Sequence, residues 1–241
     1  MRIKKNLTSI SYEETKSFFD NRAKKYNNKS PYAVTMYQDN NPELVISRNY
    51  EEINTLIPFL SLSKSSKILD VACGIGRWSD AISEEIDSYC GVDFCEGLIE
   101  IAKSRNNNSN RSFFVGKSTE LSQIFPNAKF NVVLLIGFLQ YINDDDAIIT
   151  LDEIEKLCDE SAVICIKTSI GIDERLTLKN QFSEELLDNY NAIYRTRNEL
   201  LNIFTGLFSK GFQITKESFM FNNTELNNRK ETSQYYFILK R

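Results

Sequence analysis

One local pattern constrains this chain more than any other: an apolar strand that turns through glycines into a helix. Lys67-Ile68-Leu69-Asp70-Val71 is a short run of strand character, followed by Ala72-Cys73-Gly74-Ile75-Gly76 and then by Arg77 and Trp78 at the start of a helical stretch. Glycines let a ligand approach the backbone, and the helix that follows offers unpaired N–H groups. Asp70 makes the pattern more specific, because a turn that only cradles pyrophosphate needs no carboxylate ahead of it. A tight strand–helix turn without a ligand is the plain alternative.

Downstream, short apolar segments alternate with helical ones. Strands are expected at 89–92, 112–116, 130–136 and 162–167, and helices at 77–86, 96–103 and 144–157. Strands that are apolar throughout, separated by helices, predict a mainly parallel sheet covered on both faces. Upstream, helical spacing runs over 11–26 and 46–60. At the far end, 180–207 reads as helix. Segments 212–221 and 234–239 read as strands that pair antiparallel, with no helix between them. The Asn-rich stretches at 106–108 and at Asn222-Asn223 read as loops. The expected organisation is an N-terminal helical cap over 1–45 and a ligand-binding domain over 46–241, with an insert at about 171–190 completing a lid.

A chain of 241 residues with 41% hydrophobic and 26% charged residues has the makeup of one globular domain with an appendage. The net charge of -4 gives no general pull toward nucleic acid. Five cysteines, an odd number with no CxxC pair, read as reduced thiols, and the absence of histidine argues against a zinc site. The basic N-terminus lacks the apolar core of a signal peptide, and no apolar run approaches membrane-spanning length. These features predict a cytoplasmic monomer or homodimer that acts on a small molecule and binds no membrane, nucleic acid or metal.

A second acid, Asp93 in Gly91-Val92-Asp93-Phe94, closes the next strand, where a carboxylate accepts both hydroxyls of a ribose. Phe94 is placed to pack on an adenine face. A helix N-cap is the other use of an Asp there. Nicotinamide dinucleotides and S-adenosylmethionine both present a ribose at this position. The dinucleotide fingerprint requires a third glycine, and Ser79 stands in its place.

The run Asp70-Val71-Ala72-Cys73-Gly74-Ile75-Gly76 resembles the first motif of class I S-adenosylmethionine-dependent methyltransferases of the small-molecule type. The resemblance covers roughly residues 46–241. It implies a Rossmann-like, doubly wound α/β fold with seven strands in the order 3-2-1-4-5-7-6, the last strand antiparallel. It further implies that Asp70, Ala72 and Gly74 hold the methionine part of the donor, with Cys73, Gly76 and Trp78 also in the cofactor site, and that Asp93 is the ribose-binding acid. Ala72 replaces the family's usual first glycine. Lys117 stands where the family often has an Asp for the adenine amino group, which leaves Ser118 or Thr119 to substitute. Ile136-Gly137-Phe138-Leu139-Gln140-Tyr141 resembles the fourth motif, which lines the space between donor methyl and acceptor, and Asn131 replaces the common Asp at that strand's start. By the same resemblance, Tyr37 or Arg48 contacts the donor's carboxylate.

Methyl transfer from a sulfonium is an in-line displacement, so the protein mainly aligns the reactants and excludes water. Without histidine, a hydroxyl acceptor needs another base. Tyr141, Asp145, Lys167 and Glu174 are the candidates, whereas Asp144 to Asp146 otherwise read as the first turn of a helix. Gln140, Arg175 and Arg195 are candidates for holding the acceptor. Tyr190, Tyr194 and Phe204 have the spacing of a helix's core face. The leading reading is methylation of a small polar acceptor, such as a sugar or nucleotide-linked intermediate of surface glycan biosynthesis, with O-methylation favoured. Alternatives are an amine or oxyanion acceptor, an RNA or protein substrate, and a non-catalytic donor-binding protein.

Overall fold

A computed structural model describes the chain except for residues 38, 84, 222–224 and 228. Asn222 and Asn223, expected in a loop, lie outside the described residues. The strands are β1 (Arg2–Lys4), β2 (Lys67–Val71), β3 (Ser88–Asp93), β4 (Arg111–Val115), β5 (Phe130–Ile136), β6 (Cys158–Gly171), β7 (Leu176–Ser183), β8 (Asp188–Tyr194), β9 (Gln213–Phe219) and β10 (Thr232–Lys240). The α-helices are α1 (Tyr12–Lys24), α2 (Ala33–Met36), α3 (Pro42–Leu60), α4 (Arg77–Ala81), α5 (Glu96–Arg105), α6 (Leu121–Ile124), α7 (Asp144–Leu157), α8 (Arg197–Ile203) and α9 (Thr205–Ser209). None of the described helices is long and apolar enough to cross a membrane.

Seven strands form the main sheet in the order β4-β3-β2-β5-β6-β10-β9. The five on the β4 side run parallel, and β10 pairs antiparallel with both β6 and β9. Renumbered within this sheet, that order is the expected 3-2-1-4-5-7-6. The apolar runs are continuous because each face meets its own core. Ile68, Val132, Leu134 and Cys165 pack under α3 with Leu56, Leu60 and Trp78. Leu69, Val133, Leu135, Ile164 and Ile166 point the other way, onto Leu151 and Ile154 of α7.

Two expectations are corrected. The helix predicted over 77–86 ends at Ala81, because Ile82 is extended and Ile82 and Ile86 turn into the core. Arg111 caps the early end by donating to the Ser79 carbonyl and, at 2.8 Å, to that of Ile82. The larger correction concerns 180–207, of which only the part from Arg197 onward is helical. β7 and β8 form an antiparallel hairpin that joins β1 in a second sheet, with Arg2 opposite Leu178. Leu176, Leu178, Ala192 and Ile193 are buried there, so tertiary pairing with the N-terminal strand overrides the local helical spacing.

The second sheet is anchored by two arginines expected to hold an acceptor. Arg195 is 1% exposed and donates to Asp144 Oδ1 at 2.6 Å, to the Ile142 carbonyl at 2.7 Å and to the Leu139 carbonyl. Arg175 is also buried, with Asp144 at 3.0 Å and Glu199 at 3.3 Å. Both guanidinium groups are committed to structure and lie off the cavity described below. Arg195→Met would leave the carbonyls of Leu139 and Ile142 without this donor and Asp144 with Arg175 alone, a loss of about 2–4 kcal/mol. Urea unfolding checks this; a loss below about 0.5 kcal/mol would contradict the anchoring role.

Candidate active site

A cavity of about 660 Å³ opens at the carboxyl ends of the parallel strands, where ligands sit in folds of this class. Its floor is the turn after β2 and the ends of β3, β5 and β6. Its roof comes from α1, the segment Thr35–Tyr37 and the β7–β8 hairpin, through Phe19, Leu186, Tyr190 and Tyr194.

The turn is built from left-handed residues, with φ of 62° at Ala72, 56° at Gly74 and 76° at Gly76. Ala72 is the residue that carries strain, on the order of 1 kcal/mol, where glycine would carry none. A Cβ on Gly74 would stand 2.9 Å from the Thr35 methyl, so the cap packs directly on the turn. Gly76 serves a different purpose from the one expected: a Cβ there would meet the Phe113 ring at 3.1 Å, and the residue does not line the cavity. Its role is close packing of helix on sheet.

Asp93 is 6% exposed and holds the floor together. Its Oδ2 accepts the Gly74 N–H at 3.0 Å and its Oδ1 accepts the Cys95 N–H at 2.9 Å, so one carboxylate ties the first turn to the start of α5. Burial pushes its pKa up to about 6, against the pull of these donors. Asp70 is buried beneath the turn and accepts the Tyr89 phenol. Burial pushes it up to about 7, although Tyr89 and Arg77 oppose the shift.

The other expected donor contacts line the same space. Ala72, Cys73, Gly74, Trp78, Phe94, Lys117, Ser118, Thr119, Ile136 and Gly137 are all in the wall. The Lys117 ammonium is drawn to Glu120 at 3.3 Å, and Ser118 hydrogen-bonds Thr150 at 2.8 Å. Tyr37, in the left-handed region at φ 55°, sets its ring edge-on to Tyr141 at 6.0 Å and Phe19 at 6.5 Å. Arg22, buried beneath, fixes this loop through the carbonyls of Ala33 and Val34 and the Asp39 carboxylate. Arg48 donates to the Leu226 carbonyl at 2.8 Å and lies over the Phe221 ring.

The four expected bases separate. Tyr141 lines the cavity, but burial, then the neighbouring Tyr37, pushes its phenol well above the ordinary range. Lys167 lines it too and is paired with Glu52 at 3.0 Å. Asp145 is exposed and outside the wall; its neighbour Asp146 is the one that reaches the rim, where it accepts the Tyr12 phenol. Glu174 is also outside, drawn to Lys4 at 2.9 Å and Lys5 at 3.7 Å. Gln140 is in the wall, yet its amide is engaged on both sides, donating to the Gly137 carbonyl at 2.9 Å and accepting from Thr168 at 2.8 Å. Sequence reasoning missed Glu52, Arg77, Phe19, Thr35 and Arg229, and assigned Tyr190 and Tyr194 to a core. A spacing of four puts two residues on one face of a helix and of a strand alike, which is why that pair was ambiguous.

Residues 68–161 match a methyltransferase domain family. Demethylmenaquinone methyltransferase of Staphylococcus aureus (strain MRSA252) is 30% identical over 142 residues, covering 52% of this chain and 57% of that protein. The Staphylococcus carnosus enzyme of the same name is 29% identical over the same shares. This chain thus spans little more than half the length of these relatives. Among solved structures, phosphoethanolamine N-methyltransferase 1 of Haemonchus contortus, in complex with phosphoethanolamine and S-adenosylhomocysteine, superposes with a TM-score of 0.67 at 17% identity, over 96% of this chain and 50% of that one. A complex of DhpI with S-adenosylhomocysteine has a TM-score of 0.62 at 14% identity, over 93% and 95%. Residues 68–161 thus carry a methyltransferase domain, and the sheet around them has the fold of these solved methyltransferases. The methyl donor of methyltransferases of this type is S-adenosylmethionine.

Asp93 makes the methyltransferase domain's donor binding testable. Ribose hydroxyls donate to a carboxylate, so Asp93→Asn should weaken S-adenosylhomocysteine binding by about 1.5–3 kcal/mol; the new amide nitrogen also faces one of the two backbone N–H groups, so the fold loses stability too and affinity is read on protein shown to be folded by circular dichroism. The ligand prefers the ionised acid, so affinity should fall as pH drops through about 6. Stability without ligand has the opposite sign. Raised carboxyl pKa values stabilise the fold fully below the unfolded value near 4, and that contribution is lost as pH rises through about 6 for Asp93 and about 7 for Asp70. Calorimetry from pH 5 to 8 checks the affinity; a pH-independent, Asp93-independent affinity would remove this residue from the site.

Proposed function

We propose that this protein transfers a methyl group from S-adenosylmethionine to a small, polar, anion-bearing acceptor enclosed between the sheet and its cap. The observation that carries this reading is a pair of neighbouring arginines in the cavity wall. Arg48 and Arg229 both line it, with Asn227, Ser169, Ser233 and Gln234 around them. Arg48 is held below the usual range, first by burial and then by the charge of Arg229. Two guanidinium groups close together in one cavity wall suit an acceptor's phosphate or carboxylate. A nucleotide-linked sugar has such a group. The Haemonchus neighbour's phosphoethanolamine has one as well.

The same charges bear on the accepting atom. Tyr141 is held protonated, Lys167 is paired, and Asp145 and Glu174 lie outside the cavity. A pair of arginines lowers the pKa of an amine or acid bound beside it and favours its nucleophilic form without a strong protein base. This favours an amine or oxyanion over the sugar hydroxyl that the sequence alone suggested. We take residues 1–45 and the β7–β8 hairpin to be the cap that excludes water from the transfer.

Labelled methyl donor and a panel of phosphorylated amines, nucleotide sugars and neutral sugars test the reading. Transfer should favour the anionic acceptors. Arg229→Met should raise the acceptor KM by about tenfold or more, consistent with a lost charged hydrogen bond of about 1.5–3 kcal/mol, with kcat little changed. Tyr141→Phe should cost less than about tenfold in kcat, below the usual loss on removing a general base. Transfer to neutral acceptors alone, or a Tyr141→Phe loss of about a hundredfold or more, would contradict it.

A further inference from the structure

Glu52 of α3 is a fully buried carboxylate that nothing in the donor or acceptor reading uses. Both its oxygens are engaged by the floor of the cavity. Arg77 donates to Oε1 through Nη2, Trp78 reaches the same oxygen through Nε1 at 3.3 Å, and the Lys167 ammonium lies 3.0 Å from Oε2. The second amino group of Arg77 is held by Asn49 Oδ1 at 2.8 Å. Burial alone would raise Glu52, but Arg77 and Lys167 overcome it and hold the carboxylate at about 2. Glu52 is thus one full negative charge set between two positive ones; Asp70, also in the field of Arg77, adds only a partial charge because burial pushes it up to about 7. An excess cation in a buried cluster is costly unless an anion completes it.

Placement decides which anion. Arg77 follows Gly76 directly and opens α4, and both Arg77 and Lys167 line the cavity. Lys167 is fixed to the fourth-motif turn, because its carbonyl accepts the Gly137 N–H at 2.7 Å. The two cations thus flank the glycine turn from the ends of β2 and β6. Arg48, by contrast, leans on Phe221 and Leu226, and Tyr37 lies in the aromatic cluster with Phe19 and Tyr141. We propose that Glu52 is a positioning residue that sets Arg77 and Lys167 as a two-cation clamp for the carboxylate at the amino-acid end of the donor, in place of Tyr37 and Arg48. Glu52 itself touches no ligand. It spaces the two cations, offsets their repulsion and couples α3 to the donor floor. The proposal rests on the donor reading and is independent of the acceptor.

The test compares two ligands by calorimetry. S-adenosylhomocysteine carries the carboxylate, whereas 5′-methylthioadenosine keeps the adenosine and the sulfur but lacks the amino-acid group. Glu52→Gln should weaken S-adenosylhomocysteine by about tenfold or more and leave methylthioadenosine within about twofold, so the preference between them collapses. Lys167→Gln, which leaves the Glu52–Arg77 pair in place, should do the same and answers the question if Glu52→Gln does not fold. Glu52→Asp should restore part of the preference. Equal weakening of both ligands, or an unchanged preference in the folded variants, would overturn the clamp. Wild-type protein that binds neither ligand would overturn the donor reading along with it.

Discussion

The Asp93 carboxylate is the contact on which the rest of the site depends. It accepts one N–H from the left-handed turn after β2 and one from the start of the helix after β3, so two crossovers of the sheet are joined at one side chain. Parallel pairing of β2 with β3 brings these ends level, and the right-handed crossover makes them neighbours in space. Burying an acid there costs stability, which is visible in its raised pKa. The cost is compatible with the proposed function, in which the same fixed carboxylate accepts ribose hydroxyls without rearrangement.

The second constraint is how the cap is fixed. Thr35 sits where a Gly74 side chain would be, and Arg22 staples the Thr35–Tyr37 segment through main-chain carbonyls and Asp39. At the other end, Tyr12 and Asn143 tie the start of α1 to the start of α7, with Asn143 bonding both main-chain groups of Ile10. The cap is thus anchored at two ends and arched over the cavity between them.

The core sheet was legible because its central strands, β2 and β5 above all, are apolar on both faces and bounded by turn residues, so periodicity and composition agree. The turn at Asp70 to Gly76 and the acid at Asp93 were legible for a related reason: backbone geometry there demands particular residues. The β7–β8 hairpin was not legible, since its only long partner in the second sheet is the hairpin itself and β1 is three residues long and distant in sequence. Arg175 and Arg195 were placed at an acceptor because an isolated arginine looks the same whether it meets a ligand or buried carbonyls. Asp145 missed the rim by one residue, the limit of reading a helix's rotation from sequence. Glu52 gave no signal at all, because the cations that explain it lie 25 residues away at Arg77 and farther still at Lys167.

Calorimetric titration of the intact protein with S-adenosylhomocysteine and, separately, with NAD tests the central claim most directly. The account predicts binding of S-adenosylhomocysteine in the micromolar range, about -8 kcal/mol, and none of NAD. Binding of NAD with no binding of S-adenosylhomocysteine would contradict it.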